Sequence, residues 1–200
     1  MNEKLNLPPN PFKAFKEWFE VARNTEGLPL PDTMCLATAD NQGKPSQRMV
    51  MWRRLDDNRG FCFFTDSTSR KGEELEYNPY AALLFHWPQL NRQVRIEGQV
   101  EFLPDPDADD YFQERPRDMQ LAAWASKQSR AMESMRELDA RMIDVKRRFR
   151  SGDIPRPDRW KGYRLVPEFF QFWQASQDRL HQSYRFRKAG SSWVLERLEP

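Results

Sequence analysis

The alternation of apolar and polar residues predicts a chain built mainly from β-strands, with helices inserted between them. Phe12, Phe15, Phe19 and Ala22 recur at helical spacing after Asn10, a residue type suited to cap a helix. Short runs of strand-forming residues follow, separated by turns rich in Gly, Asn and Asp. Strands are predicted at residues 34–39, 47–55, 61–65, 80–87, 93–102, 162–174, 179–187 and 192–198.

Further helices are predicted between those strands, at residues 69–77, 105–114, 119–124 and 130–149. Ser69 is a potential N-cap of the first of these helices, and Ser129 is one for the last and longest. An acidic turn at 56–60 is typical of a hairpin between its flanking strands, and Gly98 is expected to bend its strand. The pattern predicts a mainly β (α+β) fold, an antiparallel barrel or sandwich with inserted helices.

The bulk composition predicts one domain over residues 12–200, preceded by a polar leader at 1–11. Only 38% of the residues are hydrophobic but 13% are aromatic, which favours an aromatic core completed by a subunit interface. The net charge of +2 argues against a nucleic-acid partner. Cys35 and Cys62 are expected to be reduced, buried thiols. No apolar run approaches 18 residues, so we expect no membrane association and a cytoplasmic protein.

The segment from Thr65 to Lys71 is the first candidate site. Arg70 and Lys71 lie at the start of a predicted helix, where the helix dipole disfavours cations by about 0.3–1 kcal/mol each. A bound anion would offset that cost, and the neighbouring hydroxyls suit a phosphate monoester. Arg48, on the preceding hairpin strand, could reach the same anion. The alternative is a set of solvated basic side chains.

A second anion site is predicted around Tyr111 and Arg115, which share a helix face, together with Arg117. The alternative is a surface salt-bridge cluster with Glu114 and Asp118. The sequence alone does not decide between the two.

Arg179 and His181 form a third candidate, close to Trp173. If a strand follows Asp178, both side chains point to one face and could hold an anionic ring compound. The alternative is a core tryptophan beside a solvated strand face. His86 lies in an apolar strand and is interpreted as structural.

No Ser/His/Asp arrangement, metal-ligand set or Gly-rich phosphate loop is present in the sequence. Gln93 and Gln128 could instead offer amides to the edge of a heterocycle. Anion sites, aromatic residues and few acid–base groups together indicate that a cofactor supplies the chemistry.

The chain resembles the pyridoxine/pyridoxamine 5'-phosphate oxidases of the FMN-binding split-barrel family. The resemblance runs from about residue 12 to the C-terminus. The segments that carry it, in family order, are Gln47-Arg48-Met49-Val50, Thr65 with Ser69-Arg70-Lys71, Asn78-Pro79, Arg92-Gln93-Val94, Tyr111-Phe112, Arg115-Pro116-Arg117-Asp118, Ser126-Lys127-Gln128-Ser129, Phe172-Trp173-Gln174, Arg179-Leu180-His181 and Glu196-Arg197-Leu198-Glu199-Pro200.

The resemblance implies a split β-barrel homodimer with FMN at the subunit interface. It also implies oxidation of pyridoxamine or pyridoxine 5'-phosphate to pyridoxal 5'-phosphate, with O2 as electron acceptor. The implied FMN-binding residues are Arg48, Met49, Val50, Met51, Trp52, Arg53, Phe64, Thr65, Ser69, Arg70, Lys71, Gln93, Gln128, Ser129 and Trp173. The implied substrate-binding residues are Arg53, Tyr111, Arg115, Arg179 and His181, of which Arg179 and His181 are the implied catalytic pair.

Three positions depart from the family pattern. Arg53 stands in place of a lysine, Met119 in place of a serine in the substrate-phosphate site, and Ser183 in place of an arginine expected to contact FMN. Arg185 or Arg187 could compensate for that arginine. Two alternatives therefore stay open: an FMN-dependent oxidase of another substrate, of the phenazine-biosynthesis type, and a non-catalytic protein that binds FMN or a vitamin B6 phosphate.

Overall fold

The computed structural model describes residues 5–56 and 59–200. Part of the predicted leader, residues 1–4, and Asp57 and Asn58 of the predicted hairpin turn lie outside the described residues. The elements are α1 (Pro11–Arg23), β1 (Thr33–Ala39), β2 (Pro45–Met51), β3 (Arg54–Asp56), β4 (Gly60–Asp66), α2 (Arg70–Tyr77), β5 (Tyr80–Trp87), β6 (Arg92–Phe102), α3 (Asp105–Glu114), α4 (Arg117–Ala125), α5 (Met135–Arg148), β7 (Trp160–Gln174), β8 (Gln182–Ala189) and β9 (Ser192–Leu198).

The strands form one antiparallel sheet in the order β2-β1-β5-β6-β7-β4-β3, and β8 and β9 extend it from β7. Strand β7 is shared by two partners on one side. Its first residues, 160–165, pair with β4, and its last residues, 169–174, pair with β8. On the opposite side of β7, strand β6 pairs with most of its length. This division lets the sheet curve into a half-barrel, which confirms the predicted antiparallel architecture.

Helix α1 covers the inner face of the half-barrel with aromatic side chains. The side chain of Asn10 accepts hydrogen bonds from the backbone N–H groups of Phe12 and Lys13, as the predicted cap requires. Phe15 is fully buried, and its ring centroid lies 4.7 Å from that of Phe61 in a T-shaped contact. Leu7, from the predicted leader, is also buried in this core.

Gly98 bends β6, as its position in the strand predicts. The register between β6 and β7 shifts between Glu97 and Gly98. A Cβ atom on Gly98 would lie 2.0 Å from the carbonyl oxygen of Val166, so only glycine permits this approach.

The strand predicted at 47–55 is two strands, and this prediction was wrong. Strand β2 ends at Met51 and pairs with β1, whereas β3 begins at Arg54 and pairs with β4. Between them, the backbone N–H of Trp52 donates to Asp32 and that of Arg53 donates to Cys62. The chain therefore crosses from one strand partner to another at Trp52 and Arg53.

The longest helix starts later than predicted. Helix α5 begins at Met135, and Ser129 lies in a turn with a φ of +66° instead of capping the helix. No residue of α5 is buried, although Met142 and Val145 pack partly against the cluster around Trp160. Across residues 5–56 and 59–200, no helix has the length and apolarity needed to span a membrane.

Candidate functional site

A cleft of about 410 Å³ opens where β2, β4, α3 and α4 meet, a size usual for small-molecule sites. Many residues proposed from the sequence line it together. They are Arg48, Met49, Val50, Met51, Arg53, Phe64, Thr65, Lys71, Tyr111, Arg115 and Gln128. Asp66, Ala122, Ala123, Ser126 and Trp160 complete the lining.

Lys71 is a buried cation at one end of this cleft, with 6% of its surface exposed. Its ammonium group donates to Thr65 and Ser69 at 3.2 Å and to Gln128 at 2.9 Å, all neutral oxygens. Burial, with repulsion from Arg48, lowers the pKa of Lys71 to about 8. An anionic ligand would stabilise the charged form, so this end of the cleft fits a phosphate group.

Arg48 and Arg70 meet at a carboxylate that sequence reasoning missed. Arg48 on β2 donates to Glu74 at 3.1 Å, and Arg70 donates to the same carboxylate at 2.8 Å. Burial alone would raise the pKa of Glu74, but hydrogen bonds from Ser46, Thr38 and the two arginines lower it to about 2. Glu74 is therefore charged at any physiological pH.

Asp66 and Arg159 fix the turn that leads into α2. The guanidinium of Arg159 donates to Asp66 at 2.9 Å. It also donates to the carbonyl oxygens of Ala123, Trp124 and Ser126 at the C-terminal end of α4. Arg159 thus holds α4 against the end of β4, and with it the loop that carries Gln128. Sequence reasoning missed Arg159, because nothing in its neighbourhood points to partners so far along the chain.

Tyr111 and Arg115 occupy a second cationic part of the same cleft. The rings of Tyr111 and Phe64 stack with centroids 4.2 Å apart, and Phe64 stacks on Trp160 at 5.3 Å. The guanidinium of Arg115 lies 4.8 Å from the Trp160 ring centroid, a cation–π contact. Burial lowers the pKa of Arg115.

The Nη1 atom of Arg115 is buried and has no hydrogen-bond partner among the described residues. Such an atom normally costs about 1–3 kcal/mol, so the site fits a ligand that accepts a hydrogen bond there. The alternative salt-bridge cluster with Glu114 and Asp118 is not formed by the described chain. Arg117 instead donates to the carbonyl oxygens of Gly152 and Phe149, and braces the end of α5.

Arg53 and Met119 flank this second part. Arg53 forms an ion pair with Asp32 at 3.7 Å, and its guanidinium lies 5.8 Å from the Tyr111 ring centroid. Met119 is 53% exposed and does not line the cleft. Helical spacing nevertheless places it one turn before Ala122 and Ala123, which do line it.

The predicted residues Gln93, Trp173, Arg179 and His181 do not line this cleft. Gln93 pairs with Trp173 across β6 and β7, and the ring centroids of Trp173 and His181 are 4.9 Å apart. The strand expected after Asp178 begins only at Gln182, so the shared strand face for Arg179 and His181 was wrong.

The segment before β8 is a turn in which Arg179 has a φ of +61° and is exposed. The Nδ1 atom of His181 accepts a hydrogen bond from the backbone N–H of Ser176 at 3.2 Å. In the neutral ring, the proton therefore resides on Nε2.

Four further predicted residues, Trp52, Ser69, Arg70 and Ser129, are also absent from the cleft lining. Ser69 caps α2 and contacts Lys71, and Trp52 packs on Phe19 with centroids 4.7 Å apart. In the described chain, no cluster of three or more His, Cys, Asp and Glu residues is arranged for a metal ion. Both cysteines are free, but Cys35 is only partly buried, contrary to expectation.

Ser183 is buried and neutral, with 3% exposure. Its hydroxyl accepts a hydrogen bond from Gln171 at 2.9 Å. Arg185 and Arg187, which could replace the arginine expected at position 183, both form ion pairs with Glu196. Neither is therefore a free cation next to Ser183.

Comparison with known families and proteins places this geometry in context. Residues 22–147 match the family described as "Pyridoxamine 5'-phosphate oxidase", and residues 160–200 match "Pyridoxine 5'-phosphate oxidase C-terminal dimerisation region". The pyridoxine/pyridoxamine 5'-phosphate oxidase of Cyanothece sp. is 46% identical over 98% of this chain and 92% of its own length. The protein of that name from Burkholderia thailandensis is 47% identical over 99% of this chain and 92% of its own length.

Solved structures agree with this assignment. PhzG from Burkholderia lata 383, in complex with tetrahydrophenazine-1-carboxylic acid, superimposes with a TM-score of 0.87 and is 35% identical, covering 96% of this chain and 94% of its own. A pyridoxamine 5'-phosphate oxidase-related, FMN binding protein from Nostoc punctiforme has a TM-score of 0.76 and 17% identity over 98% of this chain and all of its own, and it supports the fold alone. The chain belongs to the pyridoxamine 5'-phosphate oxidase family.

Proposed function

We propose that the protein is an FMN-dependent oxidase that converts pyridoxamine or pyridoxine 5'-phosphate into pyridoxal 5'-phosphate, with O2 as electron acceptor. The observation that carries this proposal is a single cleft with two cationic parts, one around Lys71 and one around Arg115. Cofactor and substrate of this reaction each bear a phosphate monoester, so two such parts are needed. The name shared by the relatives at 46–47% identity supports the same reaction.

Lys71, Arg48 and Arg70 would hold the FMN phosphate, and Thr65 and Gln128 would keep the Lys71 ammonium directed at it. The fit rests on the buried Lys71, whose hydrogen bonds go to neutral oxygens and whose pKa is lowered to about 8 by burial and by the repulsion from Arg48. Bound FMN supplies the redox chemistry, by accepting the substrate's two electrons and passing them to O2.

Arg115, Tyr111 and Arg53 would hold the substrate phosphate. The unpaired Nη1 atom of Arg115 supplies a donor, and the Phe64–Tyr111 stack gives a rigid apolar wall. The contribution of these residues is orientation, which can supply several kcal/mol of the barrier reduction in bimolecular reactions.

The catalytic roles of Arg179 and His181 require a second protomer, because both lie outside the cleft of their own chain. Residues 160–200, which contain them, match the family's dimerisation region. In a homodimer with shared sites, Gln93, Trp173, Arg179 and His181 of one chain would complete the cleft of the other. The Nε2 atom of His181 would then face the substrate, because Nδ1 is held by Ser176.

The proposal is tested by adding pyridoxamine 5'-phosphate to the purified protein loaded with FMN, in air. We expect pyridoxal 5'-phosphate to accumulate, as followed by its absorbance, and the flavin to bleach when air is excluded. A flavin-loaded protein that gives neither signal with either vitamin B6 phosphate contradicts the proposal.

A second candidate is oxidation of a phenazine-type substrate. The observation that favours it is Met119, which offers no hydroxyl for a substrate phosphate, together with the similarity to PhzG. Turnover of tetrahydrophenazine-1-carboxylic acid should be compared with that of pyridoxamine 5'-phosphate under the same conditions. The larger kcat/KM identifies the substrate class.

A further inference from the structure

We propose that Glu74 is a positioning residue for phosphate binding, because its carboxylate holds both Arg48, which lines the cleft, and Arg70, which precedes the cleft residue Lys71 on α2. The proposal rests on the proposed function in one respect, namely that the anion bound there is the FMN phosphate. It adds an acidic residue to a site whose expected ligands are all neutral or basic.

The two carboxylate oxygens of Glu74 accept hydrogen bonds from different donors. Oε2 accepts hydrogen bonds from Arg48 at 3.1 Å, from Ser46 at 2.6 Å and from Thr38. Oε1 accepts from the Nε atom of Arg70 at 2.8 Å. The four donors lie on β1, β2 and α2, so one carboxylate ties three elements together. A buried carboxylate with this many donors is fixed in place.

The terminal nitrogens of Arg48 already donate to Leu36, Thr38, Ser46 and Glu74, so Arg48 offers a ligand its charge and its Nε atom. Glu74 itself lies behind the two arginines. It is 5% exposed and is absent from the cleft lining, whereas Arg48 is part of that lining. Arg70 uses only Nε for Glu74, and within the described residues its two terminal nitrogens have no hydrogen-bond partner. These nitrogens are solvent-accessible, since the Arg70 side chain is 64% exposed. The carboxylate therefore orients Arg70 while leaving its donors available for an anion.

Glu74 also supports the charge of Lys71. The charged groups that shift the pKa of Lys71 are Arg48 on β2, Asp66 at the end of β4 and Glu74 on α2, whereas its hydrogen-bond partners among the described residues are neutral. The two carboxylates raise the pKa of Lys71 against burial and Arg48. Removing the charge of Glu74 would leave Asp66 alone in that role, so Lys71 would lose its proton at a lower pH.

The experiment compares FMN with riboflavin, which lacks the phosphate, in flavin-fluorescence titrations of the apoprotein. Glu74→Gln keeps the size of the side chain and removes its charge. We expect this variant to bind FMN at least about tenfold more weakly and riboflavin as the parent does, since only the phosphate contacts change. The pH above which FMN affinity declines should also move down. The matched control is Glu73→Gln, because Glu73 is the adjacent residue and pairs with Arg130 on the surface.

Equal weakening of FMN and riboflavin, or unchanged FMN affinity, would overturn the proposal. If Glu74→Gln does not fold, Ser46→Ala takes its place, because it removes one donor to the carboxylate and leaves the charge. The Ser46→Ala variant should bind FMN severalfold more weakly than the parent and should bind riboflavin equally well. An FMN affinity equal to that of the parent would overturn the proposal. A parent protein that binds no flavin refutes the proposed function instead. The inference is then decided by calorimetry with inorganic phosphate, which Glu74→Gln must bind more weakly than the parent.

Discussion

The ammonium group of Lys71 lies 2.9 Å from the side-chain oxygen of Gln128, so the loop after α4 closes on the first turn of α2. The two residues are far apart in the chain, and each was proposed separately from the sequence. Because they meet only in the folded protein, the protonation of Lys71 depends on the assembled site. Thr65 strengthens their contact, because its hydroxyl donates to the same Gln128 oxygen at 2.9 Å.

FMN affinity should fall as pH rises through about 8. The pKa of Lys71 is about 8 in the unliganded protein, and a bound phosphate dianion raises it by stabilising the ammonium form. Binding therefore takes up a proton above pH 8, and affinity should decline by up to about tenfold per pH unit there. The measurement is the FMN dissociation constant between pH 6.5 and pH 9.5, since the phosphate itself titrates near pH 6.

Riboflavin is the control ligand for this prediction, because it has no phosphate and should bind independently of Lys71. Lys71→Met is the control variant. It should bind FMN weakly at every pH, and its affinity should no longer decline with pH above 8. A decline that persists in Lys71→Met would assign the titration to another group.

Arg115→Met should stabilise the unliganded protein while it impairs substrate binding. The buried Nη1 atom has no partner, so removing it relieves an unsatisfied group worth about 1–3 kcal/mol. The same change removes the donor proposed for the substrate phosphate, and KM for pyridoxamine 5'-phosphate should rise at least about 30-fold, about 2 kcal/mol. Thermal unfolding of the unliganded protein and steady-state kinetics check the two effects.

Arg117→Met is the matched control and should behave in the opposite way. Arg117 donates to the carbonyl oxygens of Gly152 and Phe149, so its loss should lower the free energy of unfolding by about 1 kcal/mol. KM should stay within a factor of two. If the KM of both variants rises equally, substrate binding does not depend on Arg115 specifically.

Much of the fold could be predicted from the sequence where local signals decide it. The bounds of β5, α3 and β9 match the predictions, and α1 starts where Asn10 and Pro11 indicate. Hydrophobic periodicity and capping residues gave wrong element bounds where a turn contains no typical turn residue. The positive φ of Arg179 interrupts the strand expected at 179–187. The sequence does not predict this turn, because the residue is neither glycine nor asparagine.

The candidate site was predictable where a residue type implies its ligand. Cations at the start of α2 pointed to an anion, and Lys71 is indeed at the end of the cleft. Glu74 and Arg159 could not be predicted, because their roles depend on partners on other elements. Arg48 reaches Glu74 only once β2 and α2 have come together, and Arg159 reaches Asp66 only once the start of β7 lies beside the end of β4.

Met119→Ser should lower KM for pyridoxamine 5'-phosphate severalfold if this is the physiological substrate. The hydroxyl would lie one turn from Ala122 and Ala123 on the same helix face, next to the proposed phosphate position. Stability should change by less than about 0.5 kcal/mol, because Met119 is exposed. Met132→Ser, another exposed methionine outside the cleft, should leave KM unchanged. An unchanged KM for Met119→Ser would favour a substrate without a phosphate at this position.

Mixed dimers test whether one cleft draws residues from two protomers. Arg115→Ala and Arg179→Ala should each be nearly inactive, the second with normal FMN content. If Arg179 of one chain serves the cleft of the other, a heterodimer of the two variants has one site with both substitutions and one intact site. Random assortment makes half of the dimers heterodimers, so the mixture should recover about a quarter of the parental activity. Heterodimers confirmed by native mass spectrometry that remain as inactive as their parents would place Arg115 and Arg179 in the same protomer's site.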